Sequence, residues 1–229
     1  ITLIMYLASW MSSKRKEMLH LTSGYIPFLI IIGIVSSFLY FEPDIGTLGV
    51  VALASLALFG MGVGKLKWIV FTILLGILLL FLLSLSGYRQ DRVGVFTDYW
   101  LNHELDIKNE GYQFNQALIA IGSGGFFGRG FGLSRQKFLY LPEPGGDTIF
   151  AIFAEEFGFL GSALLLGLFI TFFIRGMIIA MRAKDYFSEL LASGIMLLIV
   201  VQVIINISSL IGLLPLTGIT LPFMSYGGT

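Results

Sequence analysis

An aspartate stands directly before a long apolar stretch in the segment LPEPGGDTIF, which occupies residues 141–150. This residue, Asp147, is the last charge before the stretch begins. An Asp in this position can cap a helix by accepting hydrogen bonds from its first backbone N–H groups. If the stretch crosses a membrane, the same carboxylate lies at the boundary with water and can take a proton from a substrate hydroxyl. The two roles are compatible, so Asp147 is the first candidate for chemistry.

Two further acidic pairs accompany apolar stretches. Glu155 and Glu156 follow about two turns into the stretch after Asp147. Charges inside a span are expensive, so this pair predicts either an ion pair with another helix or the lining of a cavity. Glu42 and Asp44 flank Pro43, which interrupts a helix. They predict either an exposed turn capped by Asp44 or a functional outer turn.

Residues 122–132 are dense in glycine but contain neither a P-loop nor a dinucleotide fingerprint. Such a backbone can approach a sugar or pyrophosphate closely, or it can form a flexible loop on a membrane surface. Cations before, within and after this stretch can hold a pyrophosphate through charge-assisted bonds, or pair with neighbouring acids or lipid headgroups. These cations are Arg89, Arg92, Arg129, Arg135 and Lys137.

The composition indicates a bilayer as the solvent. The 229 residues have a net charge of 0, 56% hydrophobic residues, a mean hydropathy of +0.90 and 12% charged residues, whereas soluble domains are about a quarter charged. The absence of Cys excludes a disulfide-rich module and a Cys-ligated metal site, and two His residues argue against a His-rich metal site. Without a basic excess, nucleic-acid binding is not expected.

The elements that must position the candidates are membrane helices. Apolar stretches predict an all-α polytopic helix bundle, forming a single transmembrane domain over residues 1–229 with a large extracytoplasmic loop at 88–147. Aromatic and apolar residues alternate with charges in this loop, which predicts a folded segment on the outer membrane face. The spans are predicted at about 1–11 (partial), 24–41, 48–63, 68–85, 149–174 and 190–214.

Charge fixes the predicted orientation. Basic loops at 14–16, 65–67 and 175–184 fall at alternate ends of the spans and are therefore predicted to be cytoplasmic. The turn at 42–44, the long loop and the tail at 215–229 then lie outside. The chain begins within an apolar run and ends just after a Gly pair, from which we expect a piece of a longer membrane protein.

Six ordered motifs go further. Together they resemble the SEDS family (shape, elongation, division and sporulation proteins) of bacterial cell-wall polymerases, and the resemblance covers essentially the whole chain. Glu42 and the PEPGGD segment resemble the division branch, FtsW, more than the elongation branch, RodA. The motifs are EPDIGT (42–47), GYQFNQALIAIGSGG (111–125), SRQKF (134–138), YLPE (140–143), DTIFAIFAEEFG (147–158) and LPLTGITLPFMSYGG (214–228).

The resemblance implies a ten-span fold of which the first three spans and the last are absent, and these residues alone are expected to be inactive. It implies a peptidoglycan glycosyltransferase of the bacterial inner membrane that polymerises lipid II on its outer face for septal wall synthesis. Asp147 would be the essential general base, and undecaprenyl pyrophosphate would be the leaving group. Where many relatives have His-Thr before this Asp, the chain has Gly145 and Gly146.

The resemblance also suggests partners and further site residues. The partners would be a class B penicillin-binding protein and other division proteins, and a divalent cation, Mg²⁺ or Mn²⁺, could assist. A lipid II flippase and a non-catalytic division scaffold are the alternatives. Candidate substrate-binding residues are Arg89, Arg92, Gln113, Arg129, Arg135, Lys137 and Glu143, and candidate structural or cavity residues are Glu42, Asp44, Glu155, Glu156, Ser225 and Tyr226.

Overall fold

The computed structural model describes residues 1–42, 44–63, 70, 71, 74, 90–102, 110–142 and 145–226. Every regular element in these ranges is helical, so the all-α prediction is confirmed. The α-helices are α1 (Thr2–Ser13), α2 (Ile26–Phe41), α3 (Ile45–Val63), α4 (Gln90–Thr97), α5 (Glu110–Ser123), α6 (Gln136–Leu139), α7 (Ile149–Met181) and α8 (Tyr186–Leu210). Shorter 3-10 or π turns occupy Glu17–Leu19, Leu21–Tyr25 and Asp98–Asn102.

Four of the described helices are long and apolar enough to cross a membrane: Thr22–Phe41, Gly46–Val63, Ile149–Met181 and Tyr186–Leu210. The predicted partial span overlaps α1. The predicted span at 68–85 lies outside the described residues, apart from residues 70, 71 and 74.

Several helix boundaries differ from the predicted spans. The structure continues α7 to Met181 rather than residue 174, because an Arg at 175 can remain helical while its long side chain reaches toward polar surroundings. The structure starts α8 at Tyr186 rather than 190, because Asp185 accepts hydrogen bonds from the backbone N–H and the hydroxyl of Ser188. The same helix ends at Leu210, and Gly212 follows with a positive φ of 79°.

The predicted outer loop contains helices. Within residues 88–147 the structure describes α4, the turn Asp98–Asn102, α5 and α6. Trp100 Nε1 donates to the carbonyl of Gly212 at 2.8 Å, and the Tyr99 ring meets Phe114 at 5.2 Å. These contacts attach the loop to the segment that follows α8.

The chain groups into two compact units, although the sequence predicts one transmembrane domain. The first comprises residues 1–81 and 171–201. Its core contains Leu7 of α1, Phe28 of α2 and Phe59 of α3, and the last two rings stack with centroids 4.2 Å apart. Leu190 of α8 completes this core.

Basic segments meet at one end of the first unit. The Arg15 guanidinium, which follows α1, lies 4.2 Å from the ring centroid of Tyr186 at the start of α8. The Tyr186 hydroxyl donates to the carbonyl of Gly62, at the end of α3, at 2.8 Å. A Cβ at Gly62 would overlap the Met11 side chain, so glycine allows this close approach. The ends of α1 and α3 and the start of α8 therefore lie together.

The second unit comprises residues 82–170 and 202–229. Its core joins α5, the first part of α7, the end of α8 and the tail. Fully or nearly buried members are Phe114, Ala117 and Ala120 of α5, Phe150, Ala151 and Ile152 of α7, Leu210 of α8, and Leu216 and Leu221 of the tail. This packing positions the residues of the candidate site.

Candidate active site

Asp147 lies two residues before α7, where three segments of the second unit meet. Its side chain is half-buried. Gln113 of α5 presents Nε2 at 3.5 Å from each of the two carboxylate oxygens. The tail passes the same carboxylate, because a Cβ added at Gly218 would lie 4.0 Å from Asp147 Oδ2. Asp147 is thus faced by an amide donor and a glycine while remaining partly accessible.

Asn206 of α8 fixes the backbone of this region. Its buried Nδ2 donates to the carbonyl of Asp147 at 2.8 Å and to the carbonyl of Ile219 at 2.6 Å. One turn earlier on α8, Gln202 Nε2 donates to the carbonyl of Thr220 at 3.0 Å. The i and i+4 spacing puts both amides on one helix face, so α8 joins the tail to the backbone that carries Asp147.

The tail turns back toward the residues before Asp147. The backbone N–H of Tyr226 donates to the carbonyl of Gly145 at 2.6 Å, while the Tyr226 side chain is 91% exposed. The Ser225 hydroxyl accepts the N–H of Leu221 at 2.7 Å. Of the predicted pair, Ser225 therefore holds the tail turn, and Tyr226 is tied to Gly145 through its backbone.

The glycine-dense segment completes a break in α7. Gly158 has φ 66° and ψ −164°, which interrupts the helix and leaves carbonyls before it and N–H groups after it without intrahelical partners. The N–H groups of Arg129 and Gly130 donate to the carbonyls of Glu155 and Glu156, both at 3.0 Å. The carbonyls of Gly125 and Phe126 accept from Phe159 and Leu160 at 2.9 and 3.1 Å. We call these four hydrogen bonds the backbone splice.

Glycine is required on both sides of the splice. A Cβ at Gly128 would overlap the carbonyl oxygen of Glu156, and a Cβ at Gly158 would overlap the backbone N of Gly128. Both residues also have positive φ, of 81° and 66°. The segment predicted either to approach a sugar or to form a flexible loop therefore holds a broken helix together.

Glu155 binds the chain that follows the splice. Its carboxylate is fully buried and accepts from the Ser134 hydroxyl at 2.6 Å, the Arg135 N–H at 3.0 Å and the Gln136 N–H at 3.3 Å. Arg129 Nε lies 3.7 Å from Oε1 of Glu155, the oxygen that also accepts from the Arg135 N–H. The partners of Glu155 belong to the outer loop. The sequence suggested instead an ion pair with another helix or a cavity lining.

The remaining acidic candidates have separate environments. Glu156 is 6% exposed, and within the described residues its Oε1 has no hydrogen-bond partner. Asp44 accepts the Thr47 N–H at 3.0 Å, which caps α3, and Glu42 is exposed at the end of α2. The structure therefore shows Asp44 as a helix cap, as one of the two predictions had it, while Pro43 lies outside the described residues.

The candidate cations also differ in their surroundings. Arg129 donates to the Ser123 carbonyl at 3.3 Å and pairs with Glu155, whereas Arg135 and Lys137 are exposed. Arg89 and Glu143 lie outside the described residues, and Arg92 lies in α4.

Comparison with known proteins identifies the chain's relatives. The family model for FtsW, RodA and SpoVE, described as "Cell cycle protein", matches residues 1–229. The chain belongs to this family. Stage V sporulation protein E of Bacillus subtilis is 40% identical over 230 residues, and the match covers 100% of this chain and 62% of that protein. A probable peptidoglycan glycosyltransferase FtsW of Coxiella burnetii is 42% identical over 230 residues, covering 99% and 61%.

A solved structure shows the same fold for this cell cycle protein. It is 25% identical, has a TM-score of 0.73, and the match covers 98% of this chain and 61% of the other. That chain comes from a peptidoglycan synthase complex described as coordinating polymerization and crosslinking. The predicted polytopic helix bundle is confirmed, and the chain spans about 60% of the length of these relatives.

Within this member of the cell cycle protein family, the described residues do not form a protein-only metal cage. No group of three or more His, Cys, Asp or Glu side chains that could hold a metal occurs in the part of the chain that the structure describes. Asp147 with the amide of Gln113 is a poor match for a Mg²⁺ or Mn²⁺ site built from protein ligands alone. We therefore derive no reaction step through a cation.

Sequence reasoning missed two residues that shape this site. Asn206 lies in an apolar helix whose local pattern gives no hint of its partners, 59 and 13 residues away along the chain. Its position one turn after Gln202 was the available signal, since two amides on one face of a span usually contact polar groups. Gly158 is one glycine among several in the stretch, and only its positive φ distinguishes it.

Proposed function

We propose that the full-length protein is a peptidoglycan glycosyltransferase that polymerises lipid II into β-1,4 glycan strands for the septal cell wall. The observation that carries this proposal is the half-buried Asp147 carboxylate, faced by Gln113 and attached through its backbone to Asn206. Membership in a family with relatives named probable peptidoglycan glycosyltransferase supports the reaction class.

In the proposed reaction Asp147 removes the proton from the 4-hydroxyl of the acceptor GlcNAc. The resulting oxygen nucleophile attacks the anomeric carbon of the donor MurNAc, and the bond to undecaprenyl pyrophosphate breaks. An α-linked donor gives a β-linked product in one inverting displacement, so no covalent enzyme intermediate is needed. A positioned general base contributes about 10²- to 10⁴-fold to the rate of such a step.

The other site residues have proposed roles in binding. Gln113 orients the carboxylate and is near enough to contact a sugar hydroxyl. Arg135 and Lys137 are exposed and can meet negative charge on the leaving pyrophosphate, whereas Arg129 is already engaged by Glu155. Arg89, Arg92 and Glu143 remain predicted contributors, and assistance by Mg²⁺ or Mn²⁺ remains a prediction.

We further propose that the enzyme works in the bacterial inner membrane with its active face outside. A class B penicillin-binding protein and other division proteins would be its partners, in keeping with the synthase complex that contains the structural relative. For the flippase alternative, the sequence offered Glu155 and Glu156 as part of a polar path. The contacts of Glu155 with Ser134, Arg135 and Gln136 support instead a role in holding the outer loop.

The test uses the full-length protein with Asp147→Asn. This substitution retains the size of the side chain and the backbone carbonyl that Asn206 binds, but it removes the base. We expect polymerisation of purified lipid II to fall at least about 100-fold while the thermal unfolding midpoint changes little. Asp147→Glu is the matched control and should retain measurable activity.

Other outcomes identify the alternatives. Near-normal glycan synthesis by Asp147→Asn would contradict its role as base. If the wild-type protein moved lipid II across vesicles but polymerised none, the flippase would be correct. If Asp147→Asn supported normal cell division and the wild-type protein had neither activity, the scaffold would be correct.

A further inference from the structure

The two parts of α7 differ in their surroundings on either side of Gly158. Before the break, Phe150, Ile152, Glu155 and other residues are buried. After the break, Phe159, Leu160, Leu164 and Leu168 are 50–68% exposed. Only 6% of the most apolar window of this helix is buried. Apart from Phe157, which is 37% exposed, the outward-facing large apolar side chains of this helix therefore lie beyond Gly158.

Helix length places the break near a membrane boundary. From Phe159 to Met181 the helix is about 34 Å long at 1.5 Å per residue, which by itself suffices for the roughly 30 Å hydrocarbon core. Arg182 and Lys184 follow its far end. If Arg182 and Lys184 lie at one face of the membrane, this helix length places Gly158 and the backbone splice at the other face. Glu155 and Glu156 then lie outside the hydrocarbon core rather than inside it.

Exposed aromatic side chains surround α7 at this level. Phe126 stacks on Phe159 with centroids 5.7 Å apart, and Phe131 meets Phe157 at 6.0 Å. Phe126, Phe127 and Phe131 are 56%, 78% and 83% exposed. We call these five residues, Phe126, Phe127, Phe131, Phe157 and Phe159, the aromatic collar. It continues the outward-facing apolar surface of α7.

The segment that carries most of the collar is cationic. Residues 124–142 contain Arg129, Arg135 and Lys137 and no acidic residue. Glu155 engages Arg129, while Arg135 and Lys137 are exposed. Glu155 also binds the backbone N–H groups of Arg135 and Gln136, so the position of this cationic stretch relative to the collar is fixed.

We propose that the aromatic collar docks on an anionic phospholipid surface, seating the outer loop in the boundary layer of the leaflet next to Gly158. The Phe side chains contact the upper acyl chains, because segments that lie at a membrane surface bury Phe and Leu side chains about 5–10 Å into the boundary between headgroups and acyl chains. Arg135 and Lys137 face the headgroup phosphates of the same leaflet. The five Phe residues have no part in the reaction proposed for Asp147, whereas Arg135 and Lys137 are here assigned to lipid phosphates rather than to the leaving pyrophosphate.

The depth of the collar can be measured with a fluorescent label. The 229 residues contain no Cys, so Phe127→Cys or Phe131→Cys gives a unique labelling position in this region of the full-length protein. Each variant carries a polarity-sensitive dye and is placed in phosphatidylcholine–phosphatidylglycerol vesicles. The vesicles contain lipids spin-labelled either near the headgroup or near the end of the acyl chain.

We expect both collar labels to report an apolar environment and to be quenched more by the shallow spin label than by the deep one. Leu168→Cys, on the outward face of α7 and about 14 Å along the helix from Phe159, should show the opposite order, and Lys184→Cys should be quenched little by either. Collar labels that behave like the label at residue 184 would overturn the proposal. An apolar signal without quenching by either lipid would also overturn it, since a protein partner would then cover the collar.

The charge of the surface is tested with the label at residue 131. Spin-labelled phosphatidylglycerol should quench it more than spin-labelled phosphatidylcholine, and Arg135→Gln with Lys137→Gln should reduce this preference by about two- to fivefold at low salt. Arg182→Gln with Lys184→Gln is the matched control and should leave the preference unchanged. Equal quenching by the two lipids in the parent protein would overturn the anionic assignment. Loss of the preference on adding equimolar undecaprenyl pyrophosphate would assign the cations to that ligand and overturn it as well.

Discussion

Asn206 shows how a single buried amide can organise the proposed reaction site without touching the proposed base itself. Its side-chain amide donates to the carbonyls of Asp147 and Ile219, which belong to segments that are far apart along the chain. A buried carbonyl that loses its donor costs about 1–3 kcal/mol. The amide therefore stabilises the meeting of α7, α8 and the tail and is best described as a positioning residue.

Asn206→Asp is the sharpest test at this scale, because the side chain keeps its size and loses both donors. We expect the free energy of unfolding to fall by about 2–4 kcal/mol and the thermal midpoint in detergent to fall accordingly. Gln202→Leu is the matched control, since it removes the hydrogen bond of a half-buried amide to Thr220 and should cost about 1 kcal/mol. Equal losses for the two variants would show that Asn206 has no special role.

The sequence identifies individual residues when their signal is local. Asp147 stands at the junction of a polar and an apolar segment, and Asp44 lies just before an apolar helix, so both attract attention from their neighbours alone. The partners of Glu155 are 19–21 residues away in a loop with no regular pattern, which makes them invisible to periodicity. For this reason helix existence and the candidate base could be predicted, whereas the contacts that hold the site could not.

At the scale of elements, the broken helix α7 and the glycine-dense segment form one structure. Each supplies the hydrogen-bond partners that the other lacks, so neither is complete alone. Backbone N–H and C=O groups that are buried or lie within a membrane must be hydrogen-bonded, and the backbone splice supplies these bonds at the break in α7. The glycines allow the two backbones to approach within hydrogen-bonding distance.

Gly158→Ala should break this element. The φ and ψ of Gly158 fall in a region that is essentially restricted to glycine, and the new Cβ would overlap the backbone of Gly128. We expect a loss of at least about 2–3 kcal/mol, measured as a lower thermal midpoint or lower yield of folded full-length protein. Gly167→Ala in the same helix is the control. A Cβ there meets nothing within 4 Å, so it should be neutral or stabilise by up to about 1 kcal/mol. Equal tolerance of both changes would contradict the splice.

The start of α8 gives the protein a pH-dependent element. The Ser188 backbone N–H and hydroxyl donate to the carboxylate of Asp185 at 2.8 and 2.9 Å, and they lower the pKa of Asp185 below its ordinary value. A lowered pKa in the folded state means that the cap stabilises the protein fully above the ordinary Asp pKa. That stabilisation is lost as the pH falls through the folded-state value.

Asp185→Ala should therefore lower the thermal midpoint at neutral pH, and the difference from wild type should shrink as the pH falls below about 4. Asp185→Asn is the control, because Asn also caps helices but does not titrate. Because the Asn cap does not titrate, the thermal midpoint of Asp185→Asn should rise relative to that of wild type as the pH falls through the folded-state pKa of Asp185. A pH-independent gap between wild type and Asp185→Ala would contradict the cap.

At the scale of the whole molecule, a net charge of 0 conceals a separation between basic and acidic segments, which lie at opposite ends of helices in the first unit. Lys14, Arg15 and Lys16 follow α1, and Arg182 and Lys184 lie between α7 and α8. The contact of Arg15 with Tyr186 places these two basic segments together, and the bond from Tyr186 to Gly62 adds the end of α3. Acidic Glu42 and Asp44 lie at the junction of α2 and α3, a whole helix away from these contacts. The positive-inside rule then predicts that the basic end faces the cytoplasm.

Single-cysteine labelling of intact spheroplasts tests this orientation and the face of the candidate base together. Glu42→Cys should react with a membrane-impermeant maleimide, whereas Lys184→Cys should react only after permeabilisation, because the basic segment between α7 and α8 is predicted to be cytoplasmic. Tyr226→Cys reports on the site itself, since its N–H bonds to the carbonyl of Gly145, two residues before Asp147, and its side chain is 91% exposed. Labelling of residue 226 in intact spheroplasts would locate Asp147 on the outer face, where lipid-linked disaccharide is polymerised in the proposed reaction. Labelling of residue 184 but not 226 would invert the topology and exclude chemistry on that face.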